Sequence, residues 1–259
     1  DKSTAETWQR EKREKLIALL RVPTYEAASS GEKTSRVGAL EVTSRLFKIG
    51  AHWTVPALDI TAHAEPGQKT AIIVGDAGRA ALAGQIDALL QYDYRVLAVD
   101  PLLWGESKVK AEDPDYLYPL FVASIGQRPL GIQAAQLAAI ARWAHEKEAV
   151  GHVKVVAWGP RASMAALVAT VVEPAAIIGS ELFESFSTLQ ELIDGDKTVE
   201  TLPELFAFGL LAEFDIRQIV ALAAPRSVIF KKPKERARRE LAPLEAWYGL
   251  FGVNFKPAN

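Results

Sequence analysis

The chain has 259 residues, a net charge of −2 and 49% hydrophobic residues. That is enough apolar content for a large core, and the balanced charge gives no support to a nucleic-acid partner or a polybasic membrane contact. With no cysteine, disulfides, thiolate catalysis and Cys-based zinc sites are excluded. No apolar run approaches the ~18 residues of a membrane span. The sequence opens at Asp1 on a charged helix, as a mature chain or a piece of a longer one would.

Thr4–Leu20 predicts a helix, with Ser3 and Thr4 as N-cap residues and Trp8, Leu16, Leu19 and Leu20 as its apolar stripe. Residues 21–36 carry Pro, Gly and Ser and predict a loop. Val37–Ile49 and Trp53–Ala64 alternate apolar and polar residues as a hairpin does, with Gly50-Ala51-His52 at its turn. Pro66-Gly67 predicts a further turn.

From Thr70 the pattern becomes β-α-β. Thr70–Val74, Tyr94–Val99, Val153–Trp158, Ala175–Gly179 and Ser227–Phe230 are short apolar runs, as strands buried on both faces require. Between them, Arg79–Leu90, Gly131–Lys147, Ala162–Val172 and Asp215–Ala223 predict helices, Asp215 capping the last. Glu235–Gly249 predicts a final helix, Asp115–Gly126 is ambiguous, and residues 183–208 read as an insertion with little periodicity. The alternation predicts one α/β domain over residues 1–259, with residues 1–65 as helix and hairpin leading into a mostly parallel sheet with helices on both faces.

Ligands bind at the carboxyl ends of such strands. Gly75-Asp76-Ala77-Gly78 follows the first buried strand. Gly75 and Gly78 could let backbone N–H groups approach a ligand, or simply make a tight turn. Val153–Ala165 (VKVVAWGPRASMA) has the strand–turn–helix layout of a nucleophile elbow. The elbow's G-x-S-x-G aligns on Gly159-Pro160-Arg161-Ala162-Ser163, which puts Arg161 where the nucleophile belongs. Arg cannot be deprotonated and cannot attack a carbonyl. It would instead project into the site and pair with a carboxylate or bind an anion. Ser163, two residues on, falls within the first helical turn, where a core or capping role is the simpler reading. Glu181, Glu184 and Glu235 are the candidate acids near the later strand ends, and each reads equally as a solvent-facing residue. The basic run at residues 231–239 reads as a solvated helix start. The four histidines, His52, His63, His145 and His152, all precede the elbow, whereas triad order in this layout puts the histidine last. No two of them share metal-ligand spacing, so neither a metal nor another cofactor is expected.

Asp100-Pro101-Leu102-Leu103-Trp104-Gly105-Glu106-Ser107 resembles the D-x-R-G-x-G-x-S loop of α/β-hydrolases, matching at Asp100, Gly105 and Ser107. Together with Trp8–Leu20, Thr54–Ala62 (TVPALDITA), Gly126–Ala144 (GQRPLGIQAAQLAAIARWA), Phe208–Leu211, Asp215-Ile216 and Ala221–Arg226 (ALAAPR), the order of segments resembles the acetyl xylan esterase-like branch of the α/β-hydrolases, near the dienelactone hydrolases. The resemblance implies an α/β-hydrolase fold and deacetylation of plant polysaccharides by a Ser-His-Asp triad in an exported protein, periplasmic or secreted. Here the serine position is Arg161, no histidine follows it, and the acid loop reads Lys231-Lys232-Pro233-Lys234-Glu235. Two expectations follow. One is a degenerate domain, inactive as a serine hydrolase, that serves a structural role or binds a carbohydrate, a small anion (through Gly75, Gly78 and Arg161) or an adjacent domain of a longer protein. The other is an active carbohydrate esterase with a displaced catalytic set.

Overall fold

The computed structural model describes residues 1–62, 68–109, 114–147 and 153–255. The expected turn at Pro66-Gly67, and His63 and His152, lie outside these. Helix α1 (Lys2–Leu20) leads into strands β1 (Ala27–Val37), β2 (Leu40–Ile49) and β3 (Trp53–Thr61). Then come β4 (Thr70–Gly75), α2 (Ala83–Gln91), β5 (Arg95–Val99), α3 (Leu117–Ser124), α4 (Pro129–Lys147), β6 (Val153–Trp158), α5 (Pro160–Val172) and β7 (Ile177–Phe183). The chain continues through α6 (Gln190–Asp194), α7 (Leu210–Glu213), α8 (Ile216–Ala223), β8 (Ser227–Lys231), α9 (Glu235–Leu241) and α10 (Leu244–Gly249).

One sheet is formed in the order β1-β2-β3-β5-β4-β6-β7-β8. β1, β2, β3 and β5 pair antiparallel, while β5, β4, β6, β7 and β8 run parallel. Residues 70–75 are buried throughout, as expected of a central parallel strand covered on both faces. The larger core lies on the face covered by α1, α4, α5 and α8, and a smaller one, around Ile73, Ile86 and Val96, lies under α2.

Four sequence expectations need correction. The helix cap is Asp1, whose carboxylate accepts from Thr4 N–H at 2.9 Å, rather than Ser3 or Thr4. The loop expected over residues 21–36 gives way to β1, an edge strand that is exposed along most of its length. Its polar sequence carries no apolar alternation, because only pairing with β2 holds it extended, and polar edges resist further pairing. Ala175–Gly179 is displaced to Ile177–Phe183, so Glu181 lies inside the strand and not beyond it. Glu235–Gly249 is two helices, broken before Leu244 at Pro243, which has no N–H to donate. The expected cap at Asp215 is present as a full capping box, in which Asp215 accepts from the first turn of α8 and Gln218 accepts from Asp215 N–H.

Candidate functional site

The turn after β6 keeps the form of an elbow. Gly159 holds φ +94° and caps α5, whose second residue is Arg161. A side chain at residue 159 would stand 2.4 Å from the Asp76 carboxyl carbon. Arg161 therefore occupies the tip of a tight strand-to-helix turn at the carboxyl edge of the sheet.

Its guanidinium is held by a single carboxylate. Nε and Nη2 donate to Glu204 Oε2 and Oε1 at 2.6 and 2.5 Å, the parallel two-bond geometry that suits Arg and carboxylate. Glu204 comes from a 3₁₀ turn at Pro203–Phe206, within the segment that reads as an insertion. Its side chain is 0% exposed and that of Arg161 16%. Glu204 Oε1 also accepts from Trp104 Nε1 and Gln133 Nε2, both at 3.1 Å. The guanidinium carbon lies 5.6 Å from the centre of a Trp104 ring. Burial opposes the charged guanidinium, but the bonds to Glu204 prevail and its pKa is raised.

The second carboxylate is Asp76, in the loop after β4. Its Oδ1 accepts from Ala162 N–H at 2.6 Å and its Oδ2 from Arg161 N–H at 3.3 Å. In a serine hydrolase, the N–H of the residue after the nucleophile donates to the developing oxyanion. Here that position is Ala162, and its hydrogen bond goes to Asp76. Burial pushes the Asp76 carboxyl up to about 6, against the two backbone N–H groups and the Arg161 charge, which favour ionisation.

The neighbouring loops explain the glycines. Asp76 N–H donates to Trp158 O at 3.0 Å and Gly78 N–H to Gly75 O at 2.9 Å. Gly78, at φ +84°, packs so closely that a Cβ would lie 2.4 Å from Gly105 Cα. Asp100 binds that turn together: it pairs with the Arg79 guanidinium and accepts from Arg79 N–H at 2.7 Å and Glu106 N–H at 3.0 Å.

The other singled-out residues lie apart. Ser163 is buried, its N–H donates to Gly159 O, and its hydroxyl is directed to Phe183 O at 3.4 Å. Glu181 lies between Lys154 (2.8 Å) and Lys231 (3.5 Å) on the strands flanking β7. Glu184 is exposed just beyond β7, and Glu235 is exposed at the start of α9. His52 is exposed in the β2–β3 turn. His145 is twelve residues along α4 from Gln133, about 18 Å at 1.5 Å per residue. Among the described residues, the hydrogen-bond partners of Arg161, Asp76 and Ser163 include no histidine.

Sequence reasoning missed Asp76, Glu204, Trp104 and Gln133 as site residues. Gln133 and Gln136 had a signal, being two amides on the apolar face of a helix, where a buried polar group must find a partner. Asp76 stood between the two glycines already singled out.

The parallel strands, the crossover helices and a turn of this shape after β6 define an α/β-hydrolase fold. In the comparisons it takes its acetyl xylan esterase-like form. A candidate acetyl xylan esterase from Bacteroides fragilis superposes with a TM-score of 0.83 at 15% identity, covering 100% of this chain and 76% of that one. A promiscuous CE15 esterase from a marine bacterial metagenome gives 0.67 at 13% identity, over 97% and 82% of the two chains. Acetyl xylan esterase 1 from Thermoanaerobacterium gives 0.64 at 13% identity, over 97% and 85%. No family model and no curated protein matches the sequence.

Proposed function

We propose that the chain is a non-catalytic α/β-hydrolase-fold domain whose elbow has become a structural clamp, serving as a binding or scaffolding module. The observation that carries this reading is Arg161 at the elbow tip, bound through two hydrogen bonds to the buried Glu204. A group held in this way neither attacks nor abstracts a proton. The Ala162 N–H, donating to Asp76 at 2.6 Å, is a second support, since an oxyanion would have to displace a carboxylate. The esterase-like relatives suggest a carbohydrate as the bound partner. One observation favours the other reading, an active carbohydrate esterase with a displaced catalytic set: Asp76 titrates near 6, in the range of a general base.

The two are separated by assaying the protein, Arg161→Ser and Asp76→Asn on aryl acetates and acetylated xylan. The non-catalytic reading expects no turnover from any of them. Arg161→Ser still lacks a base and still has Asp76 on its Ala162 N–H. Turnover by the unaltered protein that Asp76→Asn abolishes would establish the esterase reading instead.

A further inference from the structure

A cleft of about 590 Å³ opens at the carboxyl ends of β6, β7 and β8, with Arg161, Asp76 and Glu204 absent from its lining. Trp158, Phe183 and Lys231 form one row across it, as Cα partners on the three adjacent strands. The Trp158 and Phe183 rings are stacked, with centroids 3.6 Å apart and planes within 9°. Both side chains are only part-buried, so an apolar wall faces the cleft where a strand end normally carries polar turn residues.

The rim is basic. Lys231, Lys232 and Lys234 all line the cleft. Lys231 is tied to Glu181 at 3.5 Å. Lys232 and Lys234 are exposed and, among the described residues, form no ion pair. Glu191, which also lines the cleft, is already committed to Ser187 N–H and hydroxyl at 2.8 and 2.7 Å. Glu184 and Gln85 remain as hydrogen-bonding groups in the lining, while the Ser185 hydroxyl donates to Phe186 O at 2.8 Å.

The backbone at this edge is strained in two places. Glu184 has φ +54° and Lys232 φ +51°, each the residue just after a strand end in the row. Left-handed backbone is unfavourable for a non-glycine residue, and such residues concentrate at functional sites. Both bends fall just beyond the aromatic row, whose side chains stay part-buried.

We propose that this cleft binds a small ring-bearing anion, its ring against the Trp158–Phe183 pair and its acid group on Lys232 and Lys234. The volume suits a ligand of one or two rings, and the unpaired ammonium groups supply the charge complement. The cleft shares no lining residue with the Arg161 cluster, so the proposal stands whether or not esterase turnover is found.

The test is calorimetric titration of the whole chain with D-glucuronate and 4-hydroxybenzoate, beside glucose and 4-hydroxybenzyl alcohol as neutral counterparts. At least one acid should bind, more tightly than its neutral counterpart, and added salt should weaken it. Lys232→Gln with Lys234→Gln should weaken that binding about 2- to 30-fold, the worth of two exposed charge contacts. Phe183→Leu should weaken it independently, and Lys33→Gln, on the exposed edge strand β1 and outside the lining, should leave it unchanged. Both lysines are exposed, so their replacement leaves the fold intact, as a circular dichroism melt would verify. Which acid binds separates a sugar acid from an aromatic acid as the source. Failure of both acids to bind at millimolar concentration would overturn the proposal, as would binding that the double lysine variant does not alter.

Discussion

Replacing Arg161 by Met removes the charge at the elbow while keeping an unbranched side chain. Glu204, with a side chain 0% exposed, would keep only its two neutral donors, Trp104 and Gln133. Removing one partner of a buried ion pair costs about 3–5 kcal/mol. Protonation sets a ceiling on that cost. Taking up a proton at pH 7 against an ordinary glutamate pKa near 4.3 costs about 3.7 kcal/mol, and at pH 5 about 1 kcal/mol. In the variant the buried carboxylate is left without its cation, a penalty that acid relieves and neutral pH leaves in full. The deficit relative to the unaltered protein should therefore grow from about 1 to about 4 kcal/mol between pH 5 and pH 7. At pH 7 that is a fall in melting temperature of about 8–12 °C for a chain of this size. Urea unfolding at both pH values measures it. Adding Glu204→Gln to Arg161→Met should recover most of the loss, because the amide oxygen still accepts from Trp104 and Gln133. A pH-independent loss below about 1 kcal/mol, or strict additivity in the double variant, would refute the clamp.

Other outcomes follow from the same cluster. Burial pushes the Asp76 carboxyl up to about 6, against 3.8 as its reference value, so its contribution to stability is largest in acid and falls by about 3 kcal/mol as pH rises from about 4 to about 6. Asp76→Asn removes that component, and the stability difference between variant and parent should rise by a similar amount from pH 4 to pH 8; a flat or falling difference would mean that the backbone N–H groups and Arg161 outweigh burial. Gly159→Ala should cost at least about 1–2 kcal/mol by thermal melt, because residue 159 sits at φ +94° and a Cβ there meets Asp76. Asp215→Ala should cost about 1–2 kcal/mol, since Asp215 caps α8 and also accepts from Leu189 N–H at 2.5 Å and Thr188 hydroxyl at 2.6 Å. Arg161→Ser should give no esterase activity on aryl acetates.

The legible parts of the molecule were those in which local pattern and tertiary role agree. The buried runs at Thr70–Val74 and Val153–Trp158 are strands because only a strand covered on both faces tolerates so little polarity. The Gly159 turn was readable because its backbone demands a residue without Cβ. β1 was not, because its extended state comes from β2 and not from its own sequence. The expectation that Arg161 would find a carboxylate came from chemistry alone. Which carboxylate it finds depends on the fold of residues 183–208, where no periodicity marks Glu204. Glu181 looked like a strand-end acid only while β7 was taken to end four residues too early, at Gly179 instead of Phe183.

The carboxylate of Asp76 on the Ala162 N–H also changes how the elbow meets the outside. An intramolecular ligand is present at an effective concentration that free small molecules seldom match. Acetate or a sugar acid arriving at this helix start must compete with an anion tethered by its own loop, which is itself anchored by Asp76 N–H to Trp158 O at 3.0 Å. The competitor keeps its charge above about pH 6 and loses it below. Above that pH the elbow carries its own counter-ion, and its selectivity against external anions is set by mass action within a single chain.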